Sequence, residues 1–265
     1  MPQPLSQKII FITGASSGIG KSCAQQFAAL GAKLILTARR VERLEALAQE
    51  LKIQYGTEVL NLKLDVRDRA AVEAAIQQLP ETWKAVDVLI NNAGLALATT
   101  KMQEGSIDDW ETMIDTNVKG LLYVTRALVP GMVERKQGYI VNIGSTAGRD
   151  YYAGGNVYCA TKHAVKAITT NLRIDLLGTG VRVSEVAPGF VHTEFNEVRW
   201  SDKQRAEDFY AQFKPLNPDD VARAIVFCVT QPPEVTIAEL VITPTDQATT
   251  HYVNRKSIKE SKGPF

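Results

Sequence analysis

Seven short runs of mostly apolar residues alternate with longer helical patterns along the chain. The candidate strands cover residues 9–13, 33–38, 59–65, 86–91, 138–143, 181–186 and 240–243. Most of these runs are apolar at almost every position, which is typical of parallel strands covered on both faces. Helical stripes lie between them; one is formed by Val41, Leu44, Leu47 and Leu51. The alternation predicts an α/β fold, a doubly wound parallel sheet of about seven strands with helices on both faces.

The pattern gives no linker or internal repeat, so we expect a single dinucleotide-binding and catalytic domain over residues 1–253. Residues 190–215 break the alternation, because they are rich in charged and aromatic residues and lack a clear strand. They follow the sixth strand, at the sheet edge where ligands bind in open α/β folds. This segment is therefore predicted to be a substrate lid; a packed helical insertion is the alternative. Residues 254–265 are expected to form a flexible tail.

Composition and charge exclude several classes of protein. The 265 residues are 45% apolar and 22% charged, and a net charge of +1 gives no electrostatic basis for binding nucleic acid or an anionic membrane. Three scattered cysteines suit a reducing compartment, and no cluster of cysteines or histidines has metal-ligand spacing. The apolar run 9–12 is too short to span a membrane. We expect a soluble cytoplasmic protein with a small-molecule substrate and no metal.

A glycine-rich turn joins the first strand to the first helix. It runs from Thr13 to Gly20 and comprises Gly14, Ser16, Ser17, Gly18 and Ile19 among its residues. Its three glycines allow a tight turn and a close approach of the backbone to a pyrophosphate, and the helix that follows directs its N–H groups at that anion. The spacing differs from G-x-G-x-x-G, but the position between strand and helix favours a dinucleotide site over an ordinary loop.

The end of the second strand indicates which nicotinamide coenzyme fits. An acidic residue here would bind the ribose 2′-hydroxyl of NAD, but this chain has Arg39 and Arg40. Two guanidinium groups suit a 2′-phosphate, and cations are unfavourable at the start of a helix unless they bind something. The prediction is NADP(H); the alternative is that both arginines solvate the next helix.

Tyr158 and Lys162 are spaced by one helical turn, with Ser145 upstream. Positions i and i+4 share a helix face, so a phenol lies beside an ammonium group. A nearby cation lowers the pKa of a tyrosine, and such a pair suits proton exchange with a substrate hydroxyl. Taken alone, this spacing is also common on solvated helix surfaces.

The motifs together resemble the short-chain dehydrogenase/reductase family. The resemblance rests on residues 13–20, 91–94 and 188–189 with Asn117, Ser145, Tyr158 and Lys162, and it covers most of the chain. It implies a Rossmann-type fold in which Tyr158 is the catalytic acid or base and Lys162 lowers its pKa and binds the nicotinamide ribose. Ser145 would bind the substrate oxygen, and Asn117 would hold a water linked to Lys162.

The resemblance also implies further coenzyme residues. They are Asp65, Val66, Asn91, Ala93, Gly94, Pro188, Gly189, Val191 and Thr193. Asp65 would lie near the adenine, although it would also serve as a cap for the next helix.

Within the family, the chain looks most like the NADP-dependent 3-hydroxy acid or serine dehydrogenases. This likeness implies oxidation of short 3-hydroxy acids such as L-serine, 3-hydroxyisobutyrate and 3-hydroxypropionate, reduction of malonic semialdehyde, and a homotetramer. Arg149 after the serine, or Arg199 in the lid, would bind a carboxylate. Phe190 would line the substrate pocket, and Glu194 would receive an amino group.

Two other functions stay open. A broad carbonyl reductase for hydrophobic ketones would use the lid aromatics in an apolar pocket. A non-catalytic NADP sensor would keep the fold, but it would not need to keep Tyr158 and Lys162.

Overall fold

The seven apolar runs form one parallel sheet. The computed structural model describes residues 5–255. The strands are β1 (Ile9–Thr13), β2 (Lys33–Ala38), β3 (Val59–Lys63), β4 (Val88–Asn91), β5 (Gly138–Ile143), β6 (Val181–Pro188) and β7 (Glu239–Ile242). They lie in the order β3-β2-β1-β4-β5-β6-β7, and every neighbouring pair is parallel. The order reverses between β1 and β4, which opens a crevice at the carboxyl edge of the sheet. The predicted fold class is confirmed.

Helices cover both faces of the sheet. They are α1 (Gly18–Ala29), α2 (Val41–Tyr55), α3 (Arg69–Gln77), α4 (Ile107–Ile114), α5 (Leu121–Glu134), α6 (Asn156–Asp175), α7 (Phe195–Trp200), α8 (Lys203–Ala211) and α9 (Pro218–Val229). Strand β1 shows why its sequence is apolar throughout: Ile10 and Ile12 pack under α1, α2 and α9, whereas Ile9 and Phe11 pack under α3 and α5. Alternate side chains of one strand therefore enter two cores.

Five boundaries, in four strands, differ from prediction by one or two residues, including the end of β7 at Ile242 rather than at residue 243. β3 ends at Lys63 rather than at residue 65, because its partner β2 ends at Ala38, which pairs with Lys63. β4 begins at Val88, the first of its residues paired with β1. β6 continues to Pro188, and β7 begins at Glu239, because these two strands pair from Glu185 onward.

The chain between α4 and α5 contains a π-helical turn, Asp115–Gly120. Such turns insert an extra residue into a helix and are frequent at functional sites. This one contains Asn117. The lid segment forms α7 and α8. Of the predicted flexible tail, only its first two residues are described: Asn254 bonds to Asp246, and Arg255 to Gln212; residues 256–265 lie outside the described range.

All three cysteines are buried with free thiols. Burial raises the pKa of each thiol, and that of Cys228 reaches about 11. Over residues 5–255, no helix is both long enough and apolar enough to cross a membrane. The same residues contain no group of three or more histidine, cysteine or acidic side chains suited to a metal ion.

Candidate active site

A cavity of about 520 Å³ opens at the carboxyl edge of the sheet. The predicted coenzyme residues that line it are Gly14, Ser16, Ser17, Gly18, Ile19, Arg39, Arg40, Asp65, Val66, Ala93, Gly94, Pro188, Gly189, Val191 and Thr193. Ser145, Tyr158 and Lys162 line it as well, together with Phe190 and Glu194. The fold therefore brings most of the predicted site to one place, from segments far apart in the chain.

The glycine-rich turn forms the floor of one end of the cavity. Gly14 and Gly18 have φ angles of +66° and +53°, which residues with a side chain adopt only with strain. A Cβ atom at Gly14 would lie 3.0 Å from the Cα of Ala93. Ser17 precedes α1, yet its side chain caps no N–H group of that helix. Backbone donors of the first turn are thus left for an anion.

Arg40 connects this turn to the end of β2. Its Nη2 donates to the Oγ of Ser16 at 3.2 Å and to the Oγ of Ser17 at 2.9 Å. Arg39 also lines the cavity. The pKa of Asp65 is lowered, mainly by its hydrogen bond with Arg67 and to a smaller extent by the charge of Arg39. The guanidinium groups predicted for a 2′-phosphate therefore lie beside hydroxyl donors at the coenzyme end.

Asp65 is held by an ion pair with Arg67, which donates from Nη2 at 2.6 Å. The suggested alternative role of Asp65 as a helix cap is wrong, because Asp68 caps α3 by accepting from the N–H of Ala71 at 3.0 Å. Asp65 keeps its position on the cavity wall.

Asn91 does not line the main cavity. Its Nδ2 donates to Thr125 and to Asn142, at 2.9 Å each, within a buried polar network behind β4. Its neighbour Asn92 faces the cavity instead and donates to the carbonyl oxygens of Thr13 and Gly14. The predicted direct role of Asn91 is corrected: alternation along β4 directs adjacent side chains to opposite faces.

Tyr158 and Lys162 lie one turn apart on α6, and both are largely buried. Ser145 lies near the Tyr158 phenol and acts to lower its pKa, and the Ser145 Oγ accepts from the N–H of Ala147 at 3.1 Å. The Nζ of Lys162 lies 6.0 Å from the tyrosine ring centre and donates to the carbonyl of Ile143 at 2.9 Å. The three predicted side chains thus converge at one point of the cavity.

The pKa of Tyr158 departs from the sequence prediction. Burial raises it well above the usual value, and the nearby Tyr152 phenol adds to the increase, while the charge of Arg199 opposes it. Burial also lowers the pKa of the Lys162 ammonium to about 8, against the charge of Glu185. Desolvation therefore sets the direction of the Tyr158 pKa in the protein alone, and the lowering of this pKa by Lys162 stays a prediction.

Asn117 links three elements. Its Nδ2 donates to the carbonyl of Leu95 at 2.8 Å and to the Oγ1 of Thr161 at 3.1 Å, and its Oδ1 accepts from the N–H of Leu95 at 2.9 Å. A Cβ atom at Gly94 would lie 3.3 Å from this Oδ1 and 3.7 Å from the Nζ of Lys162. Asn117 therefore lies close to the lysine across the glycine; its water-holding role stays a prediction.

Residues 8–204 match the family model described as short chain dehydrogenase. The chain belongs to the short-chain dehydrogenase family. It is 49% identical over 242 residues to the NADP-dependent 3-hydroxy acid dehydrogenase YdfG of Escherichia coli (strain K12), covering 91% of this chain and 96% of that protein. It is also 49% identical over 244 residues to sulfoacetaldehyde reductase 2 of Chromohalobacter salexigens, with coverages of 91% and 95%.

A solved structure agrees with these relatives. The closed form of a serine dehydrogenase complexed with NADP⁺ superposes with a TM-score of 0.86 at 49% identity, covering 91% of this chain and 96% of that one. The recognised family and the predicted fold are confirmed together.

Arg149 of this dehydrogenase does not reach the cavity. It forms a paired interaction with Glu185, at 2.8 and 2.9 Å, and a further bond of 2.8 Å with Glu239. The side chain of Glu185 is 1% exposed, so its charge needs a partner inside the protein. The predicted role of Arg149 in binding a substrate carboxylate is therefore wrong.

Glu194 also has different partners from those predicted. Its carboxylate accepts from Arg40 at 3.0 Å and from Arg43 at 2.7 Å, at the coenzyme end of the dehydrogenase cavity. The predicted contact with a substrate amino group is not supported, because both guanidinium groups already surround this carboxylate.

A cation from α7, Arg199, lies beside Tyr158 and Tyr152. The guanidinium carbon of Arg199 lies 5.7 Å from the Tyr158 ring centre and 5.3 Å from that of Tyr152. Its Nη2 donates to the Tyr152 hydroxyl at 2.6 Å, and its Nε to the carbonyl of Ala98 at 3.2 Å. Sequence reasoning noted Arg199 and missed Tyr152. No local signal marks that tyrosine, since its position depends on how the lid folds over the loop after β5.

Phe190 lines the cavity. Its ring meets Phe209 edge-on with centres 5.1 Å apart, and Phe213 at 5.4 Å. Its predicted place in the substrate pocket is compatible with this position, because Phe209 and Trp200 line the same cavity.

Proposed function

We propose that this dehydrogenase transfers hydride between NADP(H) and the hydroxyl or carbonyl group of a short 3-hydroxy acid. The observation that carries the proposal is the position of Arg199, whose guanidinium lies against the ring of the catalytic Tyr158. A substrate that presents its oxygen to Tyr158 therefore has a cation within reach of a second, anionic group. Guanidinium groups suit carboxylates because their donors are paired.

Two relatives support a small anionic substrate. One is named for 3-hydroxy acids and the other for sulfoacetaldehyde, and both names describe a compound that bears an acidic group. The alignments with these two relatives cover 91% of this chain. Arg199 is then the group that would recognise the acid.

The cavity suits a dinucleotide coenzyme. Gly14 and Gly18 keep the turn free of side chains, and Ser16, Ser17 and Arg40 provide donors for phosphate groups. Pro188 and Thr193 would hold the nicotinamide end, as the family resemblance implies. When bound, the nicotinamide supplies or accepts the hydride at the carbinol carbon.

The protein's own groups handle the proton. In carbonyl reduction, the Tyr158 hydroxyl donates its proton to the oxygen that gains negative charge; in oxidation, the phenol first loses its proton to solvent and the phenolate then takes the substrate proton. A raised tyrosine pKa keeps the phenol protonated and ready to act as an acid. Ser145, which lines the cavity beside Tyr158, would stabilise the charge on the substrate oxygen.

The lid and the assembly complete the proposal. Residues 190–215 would act as a substrate lid on a single domain over residues 1–253, because α7 and α8 line the cavity. We expect a cytoplasmic homotetramer, as in the family branch. Exposed apolar residues on α4 and at the end of α6, Ile107 and Ile174, are compatible with subunit contacts.

A second function has an observation in its favour. Four aromatic side chains of the predicted lid line the cavity: Phe190, Trp200, Phe209 and Tyr210. Such a surface suits the hydrophobic ketones of a broad carbonyl reductase.

The test separates these functions by substrate charge. Turnover of L-serine, 3-hydroxyisobutyrate and 3-hydroxypropionate with NADP⁺ is compared with that of the matching methyl esters. For Arg199→Met we expect kcat/KM to fall about 10- to 100-fold for the acids and to change little for the esters, because hydrogen bonds to a charged group are lost. The matched control is Arg205→Met. Arg205 lies in α8, and its guanidinium stacks on the ring of Trp200. Equal losses for acids and esters, or preference for the esters in the wild type, would favour the carbonyl reductase.

A further inference from the structure

The carboxylate of Glu194 binds the arginines of the coenzyme end. Arg40 donates to it from Nη1 at 3.0 Å, while Arg43 donates from Nη1 to both oxygens, at 2.7 and 3.0 Å. The same Arg40 donates from Nη2 to the hydroxyl groups of Ser16 and Ser17. One guanidinium thus bridges the glycine-rich turn and an internal anion.

Glu194 comes from a different part of the molecule. It immediately precedes α7, the first helix of the lid, and lies 154 residues from Arg40 in the chain. It lines the cavity together with Ser16, Ser17, Arg39 and Arg40, which are the donors that suit a phosphate on the adenosine ribose. A negative charge of the protein therefore lies in the place where a negative charge of the coenzyme is expected.

We propose that Glu194 is an internal competitor for the 2′-phosphate of the coenzyme, and that the phosphate displaces it from Arg40 and Arg43. This inference rests on the proposed function, because it assumes an NADP(H) site at these arginines. It assigns to Glu194 a role in setting the affinity for the phosphorylated coenzyme rather than in binding substrate.

The charges make the exchange favourable. A phosphate monoester carries between one and two negative charges at neutral pH and offers three acceptor oxygens, whereas the carboxylate carries one charge and two. The Arg40 and Glu194 side chains are each 40% exposed, and ion pairs exposed to this degree are weak. The bond energy that the phosphate must replace is therefore small.

The exchange also connects the coenzyme to the lid. In the structure, α7 is held at its start by Glu194 and at its end by Arg199 and Trp200, whose Nε1 donates to the Oγ1 of Thr99 at 2.9 Å. Displacement of Glu194 frees the first of these attachments and leaves the second in place. Binding of the phosphate thereby changes how the lid is anchored.

The experiment uses two small probes that differ only in the phosphate, adenosine 2′,5′-bisphosphate and adenosine 5′-monophosphate. Their Kd values are measured by calorimetry for the full chain and for Glu194→Gln, which keeps the size of the side chain and removes its charge. We expect the Kd of the bisphosphate to fall about three- to tenfold, as loss of two competing exposed ion pairs implies, and the Kd of the monophosphate to stay the same.

The matched control is Glu197→Gln. Glu197 lies one turn after Glu194, in α7, and Arg40 and Arg43 pair with Glu194 rather than with it, so this change removes the same charge without affecting the two arginines. It should leave both Kd values unchanged. The difference in bisphosphate Kd between the wild type and Glu194→Gln should also become smaller at high salt, since exposed charges are screened.

Weaker binding of the bisphosphate to Glu194→Gln would overturn the proposal, because Glu194 would then position the arginines instead of competing for them. An unchanged Kd, or equal tightening of both probes, would overturn it as well. If wild-type protein binds both probes equally, the NADP preference of the proposed function fails too. If the wild type prefers the bisphosphate and Glu194→Gln does not change that preference, only the proposed competition is rejected, and the NADP preference stands.

Discussion

The coenzyme end of the cavity is built largely from backbone, and the substrate end from side chains that pair over long stretches of sequence. At the coenzyme end, Gly14 and Gly18 set the turn by their positive φ angles, and the neighbouring β4 loop approaches to contact distance. At the substrate end, Arg199 reaches back to Tyr152 and Ala98, 47 and 101 residues away.

This difference determines what each end tolerates. A backbone cradle depends on a few torsion angles, so a single added methyl group disturbs it. A side-chain site depends on which partner each charge finds. Arg149 is an example: its guanidinium pairs with the buried carboxylate of Glu185 and is therefore not available to a substrate.

The largest effect on catalysis is expected from a substitution of Tyr158. Tyr158→Phe should lower kcat about 10²- to 10⁴-fold, because the proton donor is removed, while NADPH binding measured by fluorescence stays unchanged. Tyr152→Phe is the control: it keeps the proton donor and alters only a contact of Arg199. It should raise KM for the acids more than it lowers kcat. Equal kcat values for the two variants would show that Tyr158 is not the acid.

Removing the internal partner of a buried charge should be nearly as severe. Arg149→Ala leaves Glu185 buried without its paired donors, so we expect a loss of about 3–5 kcal/mol in the free energy of unfolding, measured with urea. The double variant Arg149→Met with Glu185→Gln should recover much of this loss, since no charge is left unpaired. If Arg149→Ala is as stable as the wild type and instead raises KM for the acids, Arg149 belongs to the substrate end after all.

A pair of glycines isolates the contribution of the backbone cradle. Gly14 and Gly56 have φ angles of +66° and +68°, but a Cβ atom would meet Ala93 and Asn92 at Gly14 and nothing within 4 Å at Gly56. Gly56→Ala should cost only the left-handed strain, about 1–2 kcal/mol. Gly14→Ala should cost more and should also weaken binding of the coenzyme. Equal stability and equal coenzyme affinity in the two variants would contradict a cradle role for Gly14.

A change of stability with pH is expected from Lys162. Burial lowers its pKa from 10.5 to about 8 in the folded chain, so between these values the unfolded chain binds more protons. Stability should therefore rise with pH from about 8 to 10.5, by up to about 1.4 kcal/mol per pH unit relative to Lys162→Met. Tyr158 contributes in the opposite direction near pH 10, because burial raises its pKa in the folded chain only, but both proteins contain Tyr158 and the comparison with Lys162→Met cancels this contribution. If the free energies of unfolding of the two proteins, measured with urea, change with pH in the same way from pH 7 to 10, the lowered pKa of Lys162 is contradicted.

The sequence predicted features that depend on local pattern. Strands such as β1 and β5 were predicted at their observed bounds because their residues are apolar on both faces. The glycine-rich turn and the spacing of Tyr158 and Lys162 were equally visible, since each lies within a few residues.

Features set by distant partners escaped prediction. The pairing of Arg149 with Glu185, and of Glu194 with Arg43, joins residues 36 and 151 positions apart. The burial that raises the pKa of Tyr158 arises from packing against Phe195 of the lid, 5.7 Å away between ring centres, which no local pattern encodes. The choice between Arg149 and Arg199 therefore required the folded chain.

The three buried thiols make this protein convenient for site-specific labelling. Thiol reagents attack the thiolate, and burial keeps Cys23, Cys159 and Cys228 both protonated and shielded. A single cysteine introduced at the exposed Lys203, the first residue of α8, would then react alone with a fluorophore. Such a conjugate would report movement of the lid in solution without prior removal of the native cysteines.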